Sequence, residues 1–161
     1  MSLCINPSCT KPFDPLNAAN TICRHCGSQL LLQKSYRVQS LLSDASGFGT
    51  IYEVDAQGTP KILKVLKGQI NSQSKAVELF QKEAEVLSKL RHPGIPKVEA
   101  DGYFTFLPRG SQALLHCLVM EKIEGLNLEE WISDRHHRPI PQDLALDWLK
   151  QIVQILDKVH Q

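Results

Sequence analysis

Neither sign of charge is in excess in this chain: 18 lysines and arginines stand against 17 aspartates and glutamates, a net charge of +1. A nucleic-acid binder that works by neutralising phosphates needs a surplus of clustered cations, so that class is disfavoured. The one basic stretch, 135–138, is interrupted by His136 and His137 and reads as a solvated loop. Long apolar runs are also missing; nothing approaches the roughly 18 residues of a membrane span. The first nine residues lack a charged region followed by an apolar core, so they do not read as a secretory leader. Internal repeats and low-complexity tracts are absent. These absences lead us to expect a cytoplasmic protein. There thiols stay reduced, and paired cysteines hold metal more often than they form disulfides.

What is present is the balance of an ordinary folded protein, 42% hydrophobic and 22% charged over 161 residues. That length suits a small domain plus part of a larger one. Composition divides the chain near Leu30. The first segment carries four of the five cysteines, three of the nine prolines and little periodic apolar pattern. About 30 residues cannot bury enough apolar surface to fold without a staple. Cys4 and Cys9 are separated by four residues and Cys23 and Cys26 by two, with thirteen between the pairs. Two close pairs joined by a loop supply the four tetrahedral ligands that zinc prefers, and such an ion contributes folding free energy. Four cysteines leave no open position for water, so the expected zinc site is structural. His25, between two ligands, is a weaker competitor for the metal; incidental thiols or a disulfide pair are the plainer alternatives. Cys117 lies in an apolar strand pattern and reads as a buried small hydrophobe.

Beyond the cysteines the pattern turns to strands. Residues 36–42 and 50–54 flank a small-residue turn at 43–49, and 61–66 follow a break at Gln57-Gly58-Thr59-Pro60. Periodicity predicts a helix over 74–90, closed by His92-Pro93-Gly94. Strands are expected over 98–106 and 114–120, a short helix over 128–132, and a longer one from Gln142 onward. That helix sets Leu144, Trp148, Gln151, Ile152, Ile155 and Val159 at near-helical spacing. Five strands with one helix after the third describe an α+β fold with a mostly antiparallel sheet.

Two charges stand in apolar surroundings. Ile62, Lys64 and Leu66 share one face of the third strand, so Lys64 sits at its centre. On the helix, Ala76, Leu79, Phe80, Val86, Leu87 and Leu90 fall on the side that carries Glu83. An isolated buried charge costs several kcal/mol. Opposite charges on adjacent elements that pack through these faces are therefore expected to pair. The plainer readings are a lysine snorkelling from its strand and a surface glutamate.

In order along the chain, these residues resemble the motifs of the serine/threonine protein kinase family. Phe48-Gly49-Thr50-Ile51-Tyr52 resembles the end of the glycine-rich loop, and Lys61-Ile62-Leu63-Lys64 the strand whose last lysine holds the α- and β-phosphates. Lys82-Glu83-Ala84-Glu85-Val86-Leu87 resembles the helix whose glutamate pairs with that lysine. His92-Pro93-Gly94-Ile95 is similar to the turn that leaves it. Leu118-Val119-Met120-Glu121-Lys122-Ile123-Glu124-Gly125 resembles the last small-lobe strand and hinge. Leu156-Asp157-Lys158-Val159-His160 resembles the end of the helix before the catalytic loop. The resemblance covers 36–161, and a four-cysteine start before such a kinase resembles a bacterial, particularly cyanobacterial, arrangement.

The resemblance implies a zinc ribbon at 1–33, a kinase N-lobe of five antiparallel strands and one helix at 34–123, and a hinge with the first C-lobe helices at 124–161. It implies ATP as ligand, with magnesium in the complete enzyme, and a protein substrate. The ribbon is expected to recruit a protein partner. Lys64 and Glu83 would be the catalytic pair. Gly47 and Gly49 would lie over the phosphates. Ile51, Ile62 and Met120 would line the adenine slot, while backbone groups of Glu121 and Ile123 meet the adenine edge. The catalytic aspartate, the metal-holding asparagine and the magnesium-positioning aspartate of the family would follow the long helix, so these 161 residues alone are expected to be inactive. Asp44 and Ser46 stand where the family has its first two loop glycines, Ser43 where it has an apolar roof residue, and Ile62 where it prefers alanine. Asp44 would repel polyphosphate unless its side chain turns away. A non-catalytic interaction module is the competing expectation, and the exposed underside predicts self-association.

Overall fold

The computed structural model describes residues 2–45, 47–68, 70–136 and 138–160; Ser46 and His137, singled out above, lie outside them. Among these residues the strands are β1 (Leu31–Leu32), β2 (Tyr36–Ser43), β3 (Gly49–Ala56), β4 (Thr59–Leu66), β5 (Tyr103–Phe106) and β6 (Leu115–Glu121). The helices are α1 (Ser74–Lys89), α2 (Leu128–Asp134) and α3 (Gln142–His160). The strands form one sheet in the order β1-β2-β3-β4-β6-β5, with every neighbouring pair antiparallel. This is the α+β, kinase N-lobe-like architecture expected from the sequence, with a cysteine cluster at its N-terminal end.

Local chemistry explains the joints. The β3–β4 hairpin turns on Gln57 and Gly58, both at positive φ (55° and 91°), the conformation that tight hairpin turns require. Asp55 holds the turn by accepting the Gly58 N–H at 3.0 Å. The fifth strand is shorter than expected: residues 98–102 are not part of it. Val98 is buried on the α1 side, and the chain then turns at Ala100 and Asp101, with the Gly102 N–H bonded to the Glu99 carbonyl. A Cβ at Gly102 would stand 2.8 Å from the Val119 carbonyl oxygen, so only glycine fits this approach. The two-residue β1 was not foreseen; its pairing with β2 carries the cysteine segment directly into the sheet.

The sheet is covered on both faces. Cross-strand register places Ile51 opposite Lys64 and Lys64 opposite Leu118. That face, with Leu66, Leu118 and Met120, packs on Phe80, Ala84 and Leu87 of α1. Leu79, expected within the helix's apolar stripe, is 49% exposed instead, because the buried side of α1 centres on Ala76, Phe80 and Ala84. The alternate residues, Val54, Leu63, Val65 and Cys117, face the other way. They form a second core with Leu3 and Ile5 of the cysteine segment.

Beyond the sheet, α2 starts with a capping box in which Asn127 and Glu130 satisfy each other's backbone N–H. Trp131 meets Trp148 of α3 edge-on at 5.0 Å. The guanidinium of Arg135 lies 4.6 Å above Trp131, so this residue of the basic stretch is stacked rather than simply solvated. Ile155 seats α3 on the turn after α1: its Cδ1 lies 2.6 Å from where a Cβ on Gly94 would be. Most other apolar residues of α3, among them Leu149, Ile152 and Leu156, are about half exposed.

Candidate functional site

Lys64 and Glu83 meet as their patterns predict. The Lys64 ammonium donates to both carboxylate oxygens of Glu83, at 2.6 and 2.8 Å. It also lies 5.6 Å from the centre of the Phe80 ring, one turn back on α1, where the ring's negative face favours a cation. The side chains are 20% and 38% exposed, so the pair is accessible from one side. The strand and helix need each other here. Lys64 is centred on an apolar sheet face, and without Glu83 it would stand there with no counter-charge.

The other residues singled out from the sequence lie on the strands and loops around this pair. Ile62 faces Met120 across β4 and β6, and both share the Lys64 face. Gly49 opens β3, where a Cβ would stand 3.2 Å from the Val65 carbonyl oxygen and 3.3 Å from Cγ of Lys64. The loop therefore rests close over the lysine strand. Gly47 has open space around its Cα. Glu121 is tied to the preceding loop, its N–H donating to the Lys97 carbonyl and its carboxylate accepting the Lys97 N–H. Ile123 is 59% exposed just beyond.

Asp44 is turned from the loop toward Lys67. Its carboxylate accepts the Thr50 hydroxyl at 2.9 Å and pairs with Lys67 at 3.2 Å. Lys67 also donates to the Asp44 carbonyl at 2.7 Å. The Thr50 hydroxyl, then Lys67, hold the Asp44 carboxyl below its usual range. This latch across the base of the loop was not read from the sequence. A carboxylate and a lysine 23 residues apart give no signal until the hairpin closes.

The four cysteines also converge. Their sulfurs all lie within 4.8 Å of one another, with Cys4 and Cys26 at 3.5 Å and Cys9 and Cys23 at 3.7 Å. A tetrahedral zinc–thiolate centre with bonds of about 2.3 Å requires sulfur separations of about 3.8 Å, which this arrangement fits. All five cysteines are free thiols. Burial pushes the Cys4 thiol above its ordinary range. Cys26 is drawn down to about 6: burial opposes its ionisation, but hydrogen bonds to Ser28 and to Cys4 and Asn6 outweigh it. His25 is engaged elsewhere, 2.6 Å from Asp14. Cys117 stands apart, fully buried in the sheet, where burial pushes its thiol up to about 12.

Known proteins are similar to this chain in sequence and in fold. Serine/threonine-protein kinase B of Synechocystis sp. is 30% identical over 172 residues, an alignment that takes in 99% of this chain and 27% of that protein. The cysteine segment is therefore included. A probable serine/threonine-protein kinase of Bacillus subtilis, YbdM, is 30% identical over 134 residues, with 81% of this chain and 48% of that protein covered. The chain is homologous to serine/threonine protein kinases. The kinase domain of Mycobacterium tuberculosis PknI superposes with a TM-score of 0.62 at 26% identity, over 79% of this chain and 49% of that domain. Rad53 1-466 in complex with AMP-PNP is similar in fold, with a TM-score of 0.58 at 19% identity over 79% of this chain and 30% of that one. No family model matches the chain. The chain spans between about a quarter and a half of the length of these curated kinases.

Proposed function

We propose that this chain is the ATP-binding portion of a serine/threonine protein kinase that transfers the γ-phosphate of ATP to protein hydroxyls. The observation that carries the reading is the Lys64–Glu83 pair, held at 2.6 and 2.8 Å between β4 and α1 and accessible from one side. In this reading Lys64 neutralises the α- and β-phosphates while Glu83 fixes its position. Amides around Gly47 and Gly49 approach the phosphates where small side chains leave room. Ile51, Ile62 and Met120 line the adenine slot, and backbone groups of Glu121 and Ile123 bond its edge. In this reading magnesium is held in the complete enzyme, as the resemblance to the kinase family implies. Cys4, Cys9, Cys23 and Cys26 hold a structural zinc in a ribbon over 1–33, ahead of a nucleotide-binding lobe at 34–123 and the hinge and first C-lobe helices at 124–161. A reducing, cytoplasmic setting suits four thiolate ligands, and the ribbon offers a surface for a protein partner.

A non-catalytic interaction module is the second reading, favoured by Asp44 in the loop and Ile62 in the slot. The orientation of Asp44 toward Lys67 weakens it, because the carboxylate is paired rather than presented to phosphate. Thermal stabilisation by ATP, with and without magnesium, separates the two. The kinase reading expects a shift that Lys64→Ala abolishes. No shift in the wild-type chain, or an equal shift in the variant, refutes nucleotide binding at this site.

A further inference from the structure

The cysteine segment shares its core with the sheet that carries Lys64. Leu3 and Ile5, on either side of the ligand Cys4, are buried against Val38, Val54, Leu63, Val65 and Cys117. The Leu3 N–H donates to the Val38 carbonyl at 2.9 Å, and the Cys4 N–H to that of Pro12 at 3.0 Å. One extended stretch thus gives a sulfur to the metal site and two side chains to the sheet.

Polar contacts lock the second cysteine pair to the same lobe. Buried Ser28, two residues after Cys26, accepts from the Arg109 N–H and from Asn6 Nδ2, each at 3.0 Å. Asn6 Nδ2 also reaches the Arg109 carbonyl at 3.3 Å. The Arg109 side chain covers Gly27, where a Cβ would stand 2.7 Å from its Nη1. On the β2 side, Arg37 donates to the Ser2 hydroxyl and to the Asn20 carbonyl at 3.0 and 2.8 Å. An independent ribbon on a linker needs none of these contacts.

We propose that the metal centre is part of the outer layer of the nucleotide-binding lobe, so that zinc loading sets the stability of the sheet carrying Lys64 and the glycine-rich loop. The route is short. On β4, Leu63 and Val65 face the cysteine segment while Lys64, between them, faces α1. Without the ion, a segment of about 30 residues has no staple. Four cysteine sulfurs would then stand within 4.8 Å of one another with no cation to hold them. The sheet would lose the cover over Val38, Leu63 and Val65 when that segment opens. Coupling of this kind is reciprocal. Sheet residues that never touch sulfur must therefore tune the affinity for zinc.

The inference rests on the zinc reading above, and the experiment separates their failures. Zinc stoichiometry of the full chain is measured under reducing conditions, and amide exchange is followed before and after chelation. One bound zinc is expected, with protection of β3 and β4 amides falling at least about tenfold on its removal and returning with one equivalent of zinc. Simultaneous loss of protection throughout the chain is the same result, since sheet and segment would be melting together. Absence of zinc uptake overturns the metal reading and this inference with it. Uptake with exchange changes confined to residues 2–29 overturns the inference alone. Val38→Ala, which leaves all four cysteines and Lys64 in place, supplies the reciprocal arm. Its zinc affinity is expected to fall about fivefold or more, and an unchanged affinity in the folded variant refutes the coupling.

Discussion

Replacing Lys64 by methionine and Glu83 by glutamine, singly and together, asks whether the two charges hold each other in place. Methionine keeps an unbranched stem against Phe80 while deleting the charge, and glutamine keeps the shape of the carboxylate. At the observed separations of 2.6 and 2.8 Å and an effective dielectric of about 20, the gross attraction is about 6 kcal/mol. Most of it is offset by desolvation and by water, since the side chains remain 20% and 38% exposed. The net loss for each single change is therefore expected between an exposed and a buried pair, about 1–2 kcal/mol. The partner left behind faces Leu66, Phe80 and Leu118 without its counter-charge. Removing both charges avoids that penalty. The double variant should fall short of the summed losses by about 1 kcal/mol. Urea unfolding followed by far-ultraviolet circular dichroism measures all four proteins. Additivity within about 0.4 kcal/mol would refute the pairing as a source of stability, whatever the distance between the atoms.

Other outcomes follow from the same contacts. Gly58→Ala should cost about 1 kcal/mol through its positive φ alone, because nothing lies near its added methyl group; Gly27→Ala should cost more, since it must also displace Arg109, and chemical denaturation ranks the two. Lys67→Met leaves the Asp44 carboxylate unpaired beside the loop, so ATP affinity by titration calorimetry should fall about two- to fivefold, and adding Asp44→Asn should restore it; no rescue would show that the latch is irrelevant to the loop. Burial pushes both Cys117 and Tyr52 up to about 12 from ordinary values of 9.0 and 10.0. The unfolded chain therefore loses these protons first as pH rises, and stability that is intact below pH 9 should decline between about 9 and 12. Cys117→Ala should flatten the first part of that decline in pH-dependent denaturation, and in the folded wild type Cys117 should resist alkylation at pH 8.

Much of this protein was legible before any coordinates. The helix boundaries followed the apolar period, as for α1, because helical spacing is a property of the chain itself; β3 and β4 run closer to their turn than expected, with Thr59 and Pro60, read as part of the break, paired with Ala56 and Asp55. The cysteine spacing already implied a shared ligand site. Lys64 and Glu83 stood out because a charge centred on an apolar face has few stable explanations. The end of the fifth strand was less legible: Val98 has a strand former's side chain, yet the approach of Gly102 to the Val119 carbonyl decides where pairing begins.

Sequence alone thus determined the kinase-like order of motifs, the spacing of the four cysteines and the two charges set in apolar faces, since each is read from residue types and their spacing along the chain. Only the tertiary structure decided what covers the sheet's far face, where Asp44 points, and which residue pins the second cysteine pair. Those outcomes depend on contacts between Asn6 and Arg109, Ser28 and Arg109, or Asp44 and Lys67, 103, 81 and 23 residues apart. No local pattern records them, because the energy that selects each partner arises only when separate elements are packed together and water is excluded between them.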